Sequence, residues 1–189
     1  MTGVILAGGR AQRMGGQEKG LMLFANRPLV EWAIAALQPQ VTTLLISANR
    51  QLARYASYGF PVVTDEVAGF AGPLAGILSA MTAAPTPWLL TMPCDAPHSP
   101  LDLGQRLAQA ITAENATLAV ATVGEQRQPL HALLPVALAA DLGEYLASGE
   151  RRVGSWYARQ RVAWVDFSDQ PAAFINLNTA DELLAHDTR

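Results

Sequence analysis

The sequence predicts an α/β protein in which one mainly parallel sheet lies between two layers of helices. Short runs rich in β-forming residues alternate with longer segments of helical period, and this alternation is typical of βαβ units. The chain has 189 residues, half of them hydrophobic. A chain of this size can bury a large core. We therefore expect one three-layer α/β/α domain spanning residues 1–189.

The strand predictions rest on short apolar runs bounded by turn-forming residues. They are Gly3–Leu6, Thr43–Ser47, Pro61–Val63, Trp88–Met92, Leu118–Thr122, His131–Leu134 and Val162–Val165. Ligands of such sheets collect at the carboxyl ends of the strands. Gly8, Asn49, Asp65 and Asp95 follow predicted strands, so we expect them to meet in one crevice.

The helix predictions rest on apolar residues spaced three and four apart, which place one buried face toward the sheet. One helix begins at Pro28 and another at Pro73, since proline is favoured in a first helical turn. Further helices are predicted at Leu101–Ile111, Val136–Ala147 and Val153–Gln160. Thr179 and Glu182 form a capping-box pattern that predicts the start of a last helix.

Composition argues against several classes of protein. The single cysteine, Cys94, cannot form an internal disulfide, and no Cys/His spacing is typical of a zinc site. No segment has the length and apolar character of a signal peptide or a membrane span. The pI near 5.5 and the lack of long basic runs argue against nucleic acid as a partner. We expect a cytoplasmic protein that binds neither nucleic acid nor a membrane.

The densest glycine stretch follows the first predicted strand and contains the only lysine, Lys19. It reads Leu-Ala-Gly-Gly-Arg-Ala-Gln-Arg-Met-Gly-Gly-Gln-Glu-Lys-Gly from position 6 to position 20. Glycine lets successive backbone N–H groups point at one anion. Positions 1–30 carry a net charge of +3, whereas the remaining positions carry −6. The loop is predicted to bind one confined anionic ligand, such as a phosphate chain.

Neither of two common glycine motifs explains this loop. A Walker loop needs a serine or threonine directly after its lysine, and the Gly-x-Gly-x-x-Gly dinucleotide fingerprint is absent. The remaining pattern, L-A-G-G-x-x-x-R-M-G-G-x-x-K-G, resembles the signature of nucleotidyltransferases, and among them the molybdenum cofactor guanylyltransferases. This resemblance implies a Rossmann-like nucleotidyltransferase sheet. It also implies transfer of GMP from GTP to the terminal phosphate of molybdenum-molybdopterin, with release of pyrophosphate.

The resemblance extends to the residues that would bind the nucleotide. Lys19 and Arg13 would hold the triphosphate as catalytic residues. The nucleotide-binding positions would be Leu6, Ala7, Gly8, Gly9, Gly15, Lys19, Ser47, Asn49, Asp65, Gly72, Pro73, Leu74, Gly76 and Asp95. Ser47 stands where the family commonly has asparagine, and Glu18 stands where aspartate is usual. Close packing of a helix against the sheet explains Gly76 nearly as well.

Asp95 follows a predicted buried strand that breaks at Pro93. By residue type alone, a turn-capping aspartate and a metal ligand explain it equally well. Magnesium commonly uses one or two protein carboxylates and completes its octahedron with phosphate and water. The resemblance implies that Asp95 is the Mg²⁺ ligand. Cys94 is predicted to be a buried side chain with no catalytic role, because no neighbouring residue would lower its pKa.

The resemblance implies that residues from about 101 to 189 bind the pterin acceptor and that those from about 1 to 100 bind the nucleotide. Arg151 and Arg152 would bind the acceptor phosphate. Asn176 and Asn178 would line the acceptor site from one side of a strand. By residue type alone, an exposed basic turn and a strand-end cap explain these residues. The family also implies partners, namely cofactor insertion proteins and apo-molybdoenzymes or their chaperones.

The choice of base leaves alternatives open. Leu-Ala-Gly-Gly resembles the guanylyl form of the loop, whereas Leu-Ala-Ala-Gly is usual in cytidylyltransferases for the same pterin. Gly8 has no β-carbon, which would leave room for a purine. A CTP-dependent enzyme and a sugar-phosphate nucleotidyltransferase remain alternatives. A non-catalytic module that binds nucleotide and delivers cofactor is a third, although Lys19 and Asp95 argue against it.

Overall fold

The computed structural model describes residues 1–8, 18–65 and 72–177. Nine strands lie within these ranges. In chain order they are β1 (Thr2–Leu6), β2 (Leu23–Phe24), β3 (Arg27–Pro28), β4 (Thr43–Ser47), β5 (Val62–Val63), β6 (Trp88–Pro93), β7 (Leu118–Val123), β8 (Gln126–Pro135) and β9 (Val162–Asp166). Strands β2 and β3 form a small hairpin, and the other seven form one sheet in the order β5-β4-β1-β6-β8-β7-β9.

Six α-helices connect or flank these strands within the same ranges. They are α1 (Leu29–Leu37), α2 (Leu52–Ala56), α3 (Pro73–Ala83), α4 (Leu103–Glu114), α5 (Ala139–Ala147) and α6 (Val153–Tyr157). Short 3-10 turns lie at Lys19–Leu21, Gln38–Gln40, Val136–Leu138 and Pro171–Phe174. No helix in the described part of the chain combines the length and hydropathy that a membrane span needs.

The sheet is mostly parallel, as predicted. Strand β1 pairs in parallel with β4 on one side and β6 on the other. Strand β8 pairs antiparallel with both β6 and β7, whereas β7 and β9 are parallel. Strands β1, β4, β5 and β6 therefore end at one edge, which we call the carboxyl edge. The loops that follow these four strands meet there.

Two hydrophobic clusters cover the two faces of the sheet. The alternation of side chains in a strand sends Ile5 to one face and Val4 to the other, and both are fully buried. Helices α1 and α4 pack on the Ile5 face, where Leu37 and Leu107 are buried. Helices α3, α5 and α6 pack on the Val4 face, where Trp156 is fully buried. This three-layer packing confirms the predicted fold class.

Most element predictions agree with the structure, and the differences lie at boundaries. The strand predicted at His131–Leu134 extends over Gln126–Pro135 because it continues into a hairpin with β7. The predicted helix Val136–Ala147 begins as a 3-10 turn, and the helix predicted at Val153–Gln160 ends at Tyr157. The β2–β3 hairpin and α2 were not predicted, because each is too short to show a periodic pattern. The helix predicted from Thr179 lies outside the described residues.

Candidate functional site

The loop after β1 lies against the ends of β4 and β5. The Ala7 N–H donates to the Ser47 carbonyl over 2.8 Å, which continues the sheet pairing past the end of β1. The Ala48 N–H donates to the Val63 carbonyl over 3.0 Å in the same way. A Cβ at Gly8 would lie 3.4 Å from Asn49 Nδ2. Gly8 therefore brings backbone close to Asn49, as predicted for a crevice at this edge.

Asn49 and Asp65 form a reciprocal hydrogen-bonded pair across the crevice. Asn49 Nδ2 donates to Asp65 Oδ2 over 2.8 Å, and the Asp65 N–H donates to Asn49 Oδ1 over 2.8 Å. Partial burial raises the pKa of Asp65 above its ordinary value, although the hydrogen bond from Asn49 opposes the shift. The first bond orients the Asp65 carboxyl, and the second holds the Asn49 amide in the position from which it donates.

The same crevice is closed by the start of α3. Its lining residues are Leu6, Gly8, Ser47, Asp65, Gly72, Pro73 and Gly76. Gly72 has a φ of 73°, a conformation that favours glycine, and Pro73 begins the helix. The predicted nucleotide residue Leu74 is fully buried in the core beneath the crevice. Of the predicted nucleotide residues, those after β1, β4 and β5 thus converge with those at the α3 start.

Gly76 has a packing role that the sequence left open. A Cβ at Gly76 would lie 2.3 Å from Ser47 Oγ and 3.5 Å from Asp65 Oδ1. Real Cβ atoms do not approach so closely, so a side chain here would push α3 away from β4. The Ser47 side chain is itself 2% exposed and faces this helix. Glycine at position 76 therefore allows α3 to pack against Ser47 at the crevice.

Lys19 and Asp95 form an ion pair at the carboxyl edge. Lys19 Nζ donates to Asp95 Oδ2, and the two side chains are 27% and 16% exposed. Lys19 begins a 3-10 turn, and Asp95 follows β6. Both groups keep contact with solvent, so a charged ligand can reach them. The only lysine of the chain and the predicted metal ligand therefore lie together at this edge.

Asp95 has a property that suits a cation. Its Oδ1 atom is buried and has no hydrogen-bond partner among the described residues. A buried oxygen without a partner is costly, and a metal ion satisfies it. The described ranges contain no group of three or more His, Cys, Asp or Glu side chains placed to hold a metal. A magnesium site does not need three such side chains, since phosphate oxygens and water supply the other ligands.

Cys94 lies beside this pair and is inert. It is a free, buried thiol. Burial raises the pKa of the Cys94 thiol to about 12, and the neighbouring Asp95 carboxylate adds to the shift. A thiol with so high a pKa is not a nucleophile at neutral pH. The structure thus agrees with the prediction that Cys94 is a buried side chain.

The C-terminal segment returns to the Asp95 turn. The Leu177 N–H donates to the Asp95 carbonyl over 2.9 Å, and the exposed Asn176 precedes it. The predicted strand around Asn176 is wrong: residues 175–177 are irregular and follow the 3-10 turn Pro171–Phe174. The Phe174 ring packs 4.8 Å from the His131 ring, so side-chain packing holds this segment in place of a ladder of hydrogen bonds.

Arg151 and Arg152 lie at the same edge and differ in their contacts. Helix α5 follows β8, which runs opposite to its neighbours, so α5 ends near the carboxyl edge. Arg151 Nη1 donates to the Leu146 carbonyl over 2.6 Å and to the Glu150 carbonyl over 2.7 Å. Arg152 is exposed, and its carbonyl accepts a bond from Tyr145 Oη. Arg151 therefore caps the end of α5, a role that sequence reasoning did not predict.

Four predicted site residues lie outside the described residues. They are Gly9, Arg13, Gly15 and Asn178. Their proposed roles stay predictions. Sequence reasoning also missed Gly20 and Tyr55. A Cβ at Gly20 would lie 2.7 Å from Tyr55 Oη and 3.4 Å from Cys94 Sγ. The glycine after Lys19 was a visible signal of this close approach, whereas the sequence offers none for Tyr55.

Comparison with known proteins agrees with the predicted family. Residues 3–163 match the model of the MobA-like NTP transferase domain. The chain is 50% identical to the molybdenum cofactor guanylyltransferase of Cupriavidus necator, covering 100% of this chain and 97% of the relative. It is 48% identical to the protein of the same name from Shewanella loihica, covering 95% and 91%. These identities extend over nearly the full length of all three chains.

Solved structures share the fold at low sequence identity. Molybdopterin-guanine dinucleotide biosynthesis protein A from Archaeoglobus fulgidus superposes with a TM-score of 0.82 at 20% identity, covering 100% of this chain and 97% of that one. The 2-C-methyl-D-erythritol 4-phosphate cytidylyltransferase from Thermus thermophilus superposes with a TM-score of 0.71 at 16% identity, covering 98% and 96%. The fold is therefore common to proteins named for different bases and acceptors.

Proposed function

This chain belongs to the family of MobA-like NTP transferase domains, and on that premise we propose that it is a molybdenum cofactor guanylyltransferase. It transfers GMP from GTP to molybdenum-molybdopterin, releases pyrophosphate and forms molybdopterin guanine dinucleotide. The ion pair of Lys19 and Asp95 carries the proposal. It places a cation and a metal-type carboxylate together at the edge where the nucleotide loops meet.

The reaction needs charge neutralisation more than a base. A phosphate monoester has a second pKa of about 6. At neutral pH most of the acceptor phosphate is therefore a dianion, which can act as a nucleophile without a base. One oxygen of that phosphate attacks the α-phosphorus, and the bond to pyrophosphate breaks. In our proposal Lys19 and Arg13 hold the triphosphate and offset the negative charge that accumulates on the leaving group.

We place Mg²⁺ on Asp95 in this proposal. A bound Mg²⁺ would neutralise charge on the phosphates and orient them. The unpartnered Asp95 Oδ1 supports this assignment, since a cation would satisfy it. Lys19 would then exchange its bond to Asp95 for bonds to phosphate oxygens. Asp95 is the single described carboxylate assigned to the metal, and water and phosphate would supply the remaining ligands.

The Asn49–Asp65 pair and Gly8 would bind the nucleoside. The fixed carboxyl of Asp65 is an acceptor for N–H groups, which guanine offers on its Watson–Crick edge. The missing side chain at Gly8 gives a purine space beside Asn49. Gly72, Pro73 and Ser47 would close the same crevice. The fold alone does not select the base, so the choice of guanine rests on these residues and on the named relatives.

The acceptor would bind through Arg151, Arg152, Asn176 and Asn178. The exposed guanidinium of Arg152 suits an anionic phosphate. Residues up to about 100 would then serve the nucleotide, and those from about 101 onward would serve the pterin. We further propose a cytoplasmic location with no nucleic acid or membrane partner. The product would pass to cofactor insertion proteins and to apo-molybdoenzymes or their chaperones.

A pyrophosphate-release assay tests this function. Purified protein is mixed with GTP or CTP, with or without Mg²⁺ and molybdenum-molybdopterin. We expect pyrophosphate only when GTP, Mg²⁺ and the acceptor are all present. Turnover with CTP in place of GTP would assign a cytidylyltransferase, and turnover with a sugar phosphate in place of the pterin would assign a different acceptor class. Tight GTP binding without pyrophosphate would contradict the proposal and favour a binding module.

A further inference from the structure

Tyr55 is a buried residue with an unusual hydroxyl group. It lies in α2, is 0% exposed, and its Oη has no hydrogen-bond partner among the described residues. A buried donor without a partner costs free energy that phenylalanine would avoid. The same hydroxyl lies 2.7 Å from the point that a Cβ on Gly20 would occupy. It therefore faces the backbone of the turn that carries Lys19.

A matching acceptor lies at the start of that turn. Glu18 precedes Lys19, and its Oε1 atom is also buried without a hydrogen-bond partner in the described ranges. Burial raises the pKa of Tyr55, and the neighbouring Cys94 and Glu18 side chains add to the shift in that order. An unpaired donor and an unpaired acceptor are thus both associated with the turn that carries Lys19 and Gly20. A small shift of the turn would let each satisfy the other.

We propose that Tyr55 is a positioning residue for Lys19: in the nucleotide-bound enzyme its hydroxyl donates to the Glu18 carboxylate and fixes the Lys19–Leu21 turn. This inference rests on the proposed function, in which Lys19 leaves Asp95 to hold the triphosphate. The movement of Lys19 toward phosphate shifts the adjoining backbone, and the Glu18–Tyr55 bond stabilises the shifted turn. Tyr55 itself touches neither substrate nor metal.

Tyr55→Phe removes the hydroxyl and keeps the ring. We expect kcat for pyrophosphate release to fall about 10-fold, because hydrogen bonds to charged groups contribute at that level. The KM for GTP should change less than about twofold, since Tyr55 does not contact the nucleotide. Tm should stay equal or rise, because an unpaired buried donor is removed. Wild-type kcat in Tyr55→Phe would overturn the proposal.

Tyr157→Phe is the matched control for stability. Its fully buried Tyr157 hydroxyl already donates to the Pro129 carbonyl over 2.8 Å. Removing it leaves a partly buried carbonyl without that partner, so Tm should fall. A similar fall in Tm for Tyr55→Phe would show that the Tyr55 hydroxyl is bonded in the free protein, contrary to the proposal.

Glu18→Gln tests whether the two residues act together. The variant keeps the side-chain size and weakens the acceptor. In a double-mutant cycle, Glu18→Gln with Tyr55→Phe should lose no more activity than the more impaired single variant. Full additivity, with a loss of about 100-fold, would mean that the residues act separately and would overturn the proposed bond.

Gly20→Ala probes the same contact from the other side. Its Cβ would meet Tyr55 Oη at 2.7 Å, whereas the next atoms, Cys94 Sγ and Tyr55 Cε1, lie at 3.4 Å. We expect Gly20→Ala to impair the wild-type background strongly and to cost little further activity in Tyr55→Phe. An equal cost in both backgrounds would show that the hydroxyl does not define the position of the turn.

A binding readout separates this inference from the proposed function. With tyrosine labelled at ¹³Cζ, addition of GTP and Mg²⁺ should shift the Tyr55 resonance in wild type and shift it less in Glu18→Gln. The measurement needs no acceptor and no turnover. Absence of pyrophosphate release from wild type would contradict the proposed function alone. An unmoved Tyr55 resonance at saturating GTP would contradict the positioning role alone.

Discussion

Two polar pairs at the carboxyl edge of the sheet differ in how their hydrogen-bonding groups are used. Asn49 and Asp65 are joined by two reciprocal bonds of 2.8 Å, one through the side chains and one through the Asp65 backbone N–H. Lys19 and Asp95 are joined through one carboxylate oxygen, while Asp95 Oδ1 has no partner among the described residues. In the first pair the Asn49 amide carries no charge, whereas the second pair joins a positive ammonium to a negative carboxylate.

This difference suits the two pairs to different functions. A doubly bonded pair keeps its shape before ligand binds, so it suits recognition of a base. A charged pair with an unpartnered oxygen can exchange its contacts, so it suits a site where phosphate and metal arrive together. In the proposed function, the edge therefore combines a preorganised recognition pair with a charge pair that rearranges. Substitutions in the two pairs should affect different kinetic constants.

The largest effect is expected at Asp95. Asp95→Ala removes the proposed metal ligand and should lower kcat at least about 1,000-fold, because the phosphate charge is no longer neutralised. Added Mg²⁺ should not restore it. The half-buried Asp102 offers a matched control, since Asp102→Ala removes a carboxylate that lies 3.7 Å from Arg106 Nη1 directly before α4. Near-normal turnover in folded Asp95→Ala would contradict the metal assignment.

Lys19→Met should have the next largest effect. Loss of the ammonium removes the positive charge proposed to hold the triphosphate, and it leaves Asp95 without the Lys19 partner. We expect kcat/KM for GTP to fall about 100- to 1,000-fold, with part of the loss restored in Lys19→Arg. Steady-state kinetics at several salt concentrations measures this. If Lys19→Met raised KM and left kcat unchanged, Lys19 would bind the ground state and the transition state equally and would not accelerate the chemical step.

Asp65→Ala should act mainly on the recognition pair. We expect KM for GTP to rise about 10- to 100-fold with a smaller change in kcat, since the proposed role of Asp65 is contact with the base and not with the phosphates. Asp65→Asn keeps an oxygen that can accept from Asn49 and separates geometry from charge. The ratio of kcat/KM for GTP to that for CTP is the measurement. An unchanged ratio in both variants would remove Asp65 from base selection.

The sequence predicted the parts of this comparison that depend on strand ends. Asn49, Asp65 and Asp95 each follow a strand of a parallel sheet, so topology alone brings them to one edge. It did not predict that Asn49 bonds Asp65, since a bond between loops depends on the spacing of β4 and β5. The contact of the Arg151 guanidinium with the end of α5 was not predicted for a similar reason, and its role at the acceptor phosphate stays a prediction.

The segment around Asn176 shows a different limit. The alternation of Asn176 and Asn178 suggested a strand, but a strand needs a neighbour to pair with. The structure instead holds this segment through the Leu177 bond to Asp95 and the packing of Phe174. Similarly, the close approach of Gly20 to Tyr55 depends on α2, a five-residue helix with no periodic signal. The sequence pattern therefore predicted most strands and helices and the residues at the carboxyl edge. The segment around Asn176 and the contact of Gly20 with Tyr55 depend on tertiary packing, which the pattern does not show.

The smallest effect is expected from acidification, which should change the stability contributions of His131 and Asp65 in opposite directions. His131 is 2% exposed, and burial lowers its pKa to about 3. The Ser99 hydroxyl donates its proton to the Ala96 carbonyl over 2.9 Å, so His131 Nε2 must donate to Ser99 Oγ at 3.3 Å. Neutral His131 thereby supports the turn that follows Asp95.

The pKa of His131 is lower in the folded chain than its unfolded value of about 6.5. Its contribution to stability is therefore present above about pH 6.5 and is lost as pH falls toward 3, at about 1.4 kcal/mol per pH unit. Asp65 has a raised pKa, so its contribution runs the other way and is lost as pH rises through the folded value. Urea unfolding between pH 7 and pH 4.5 measures the free energy of unfolding of wild type and of His131→Gln. The carboxylates that both proteins share contribute equally, so they cancel when the two free energies are subtracted. The wild-type free energy of unfolding should fall more steeply with acid than that of His131→Gln, and parallel curves would mean that His131 is not held neutral by burial.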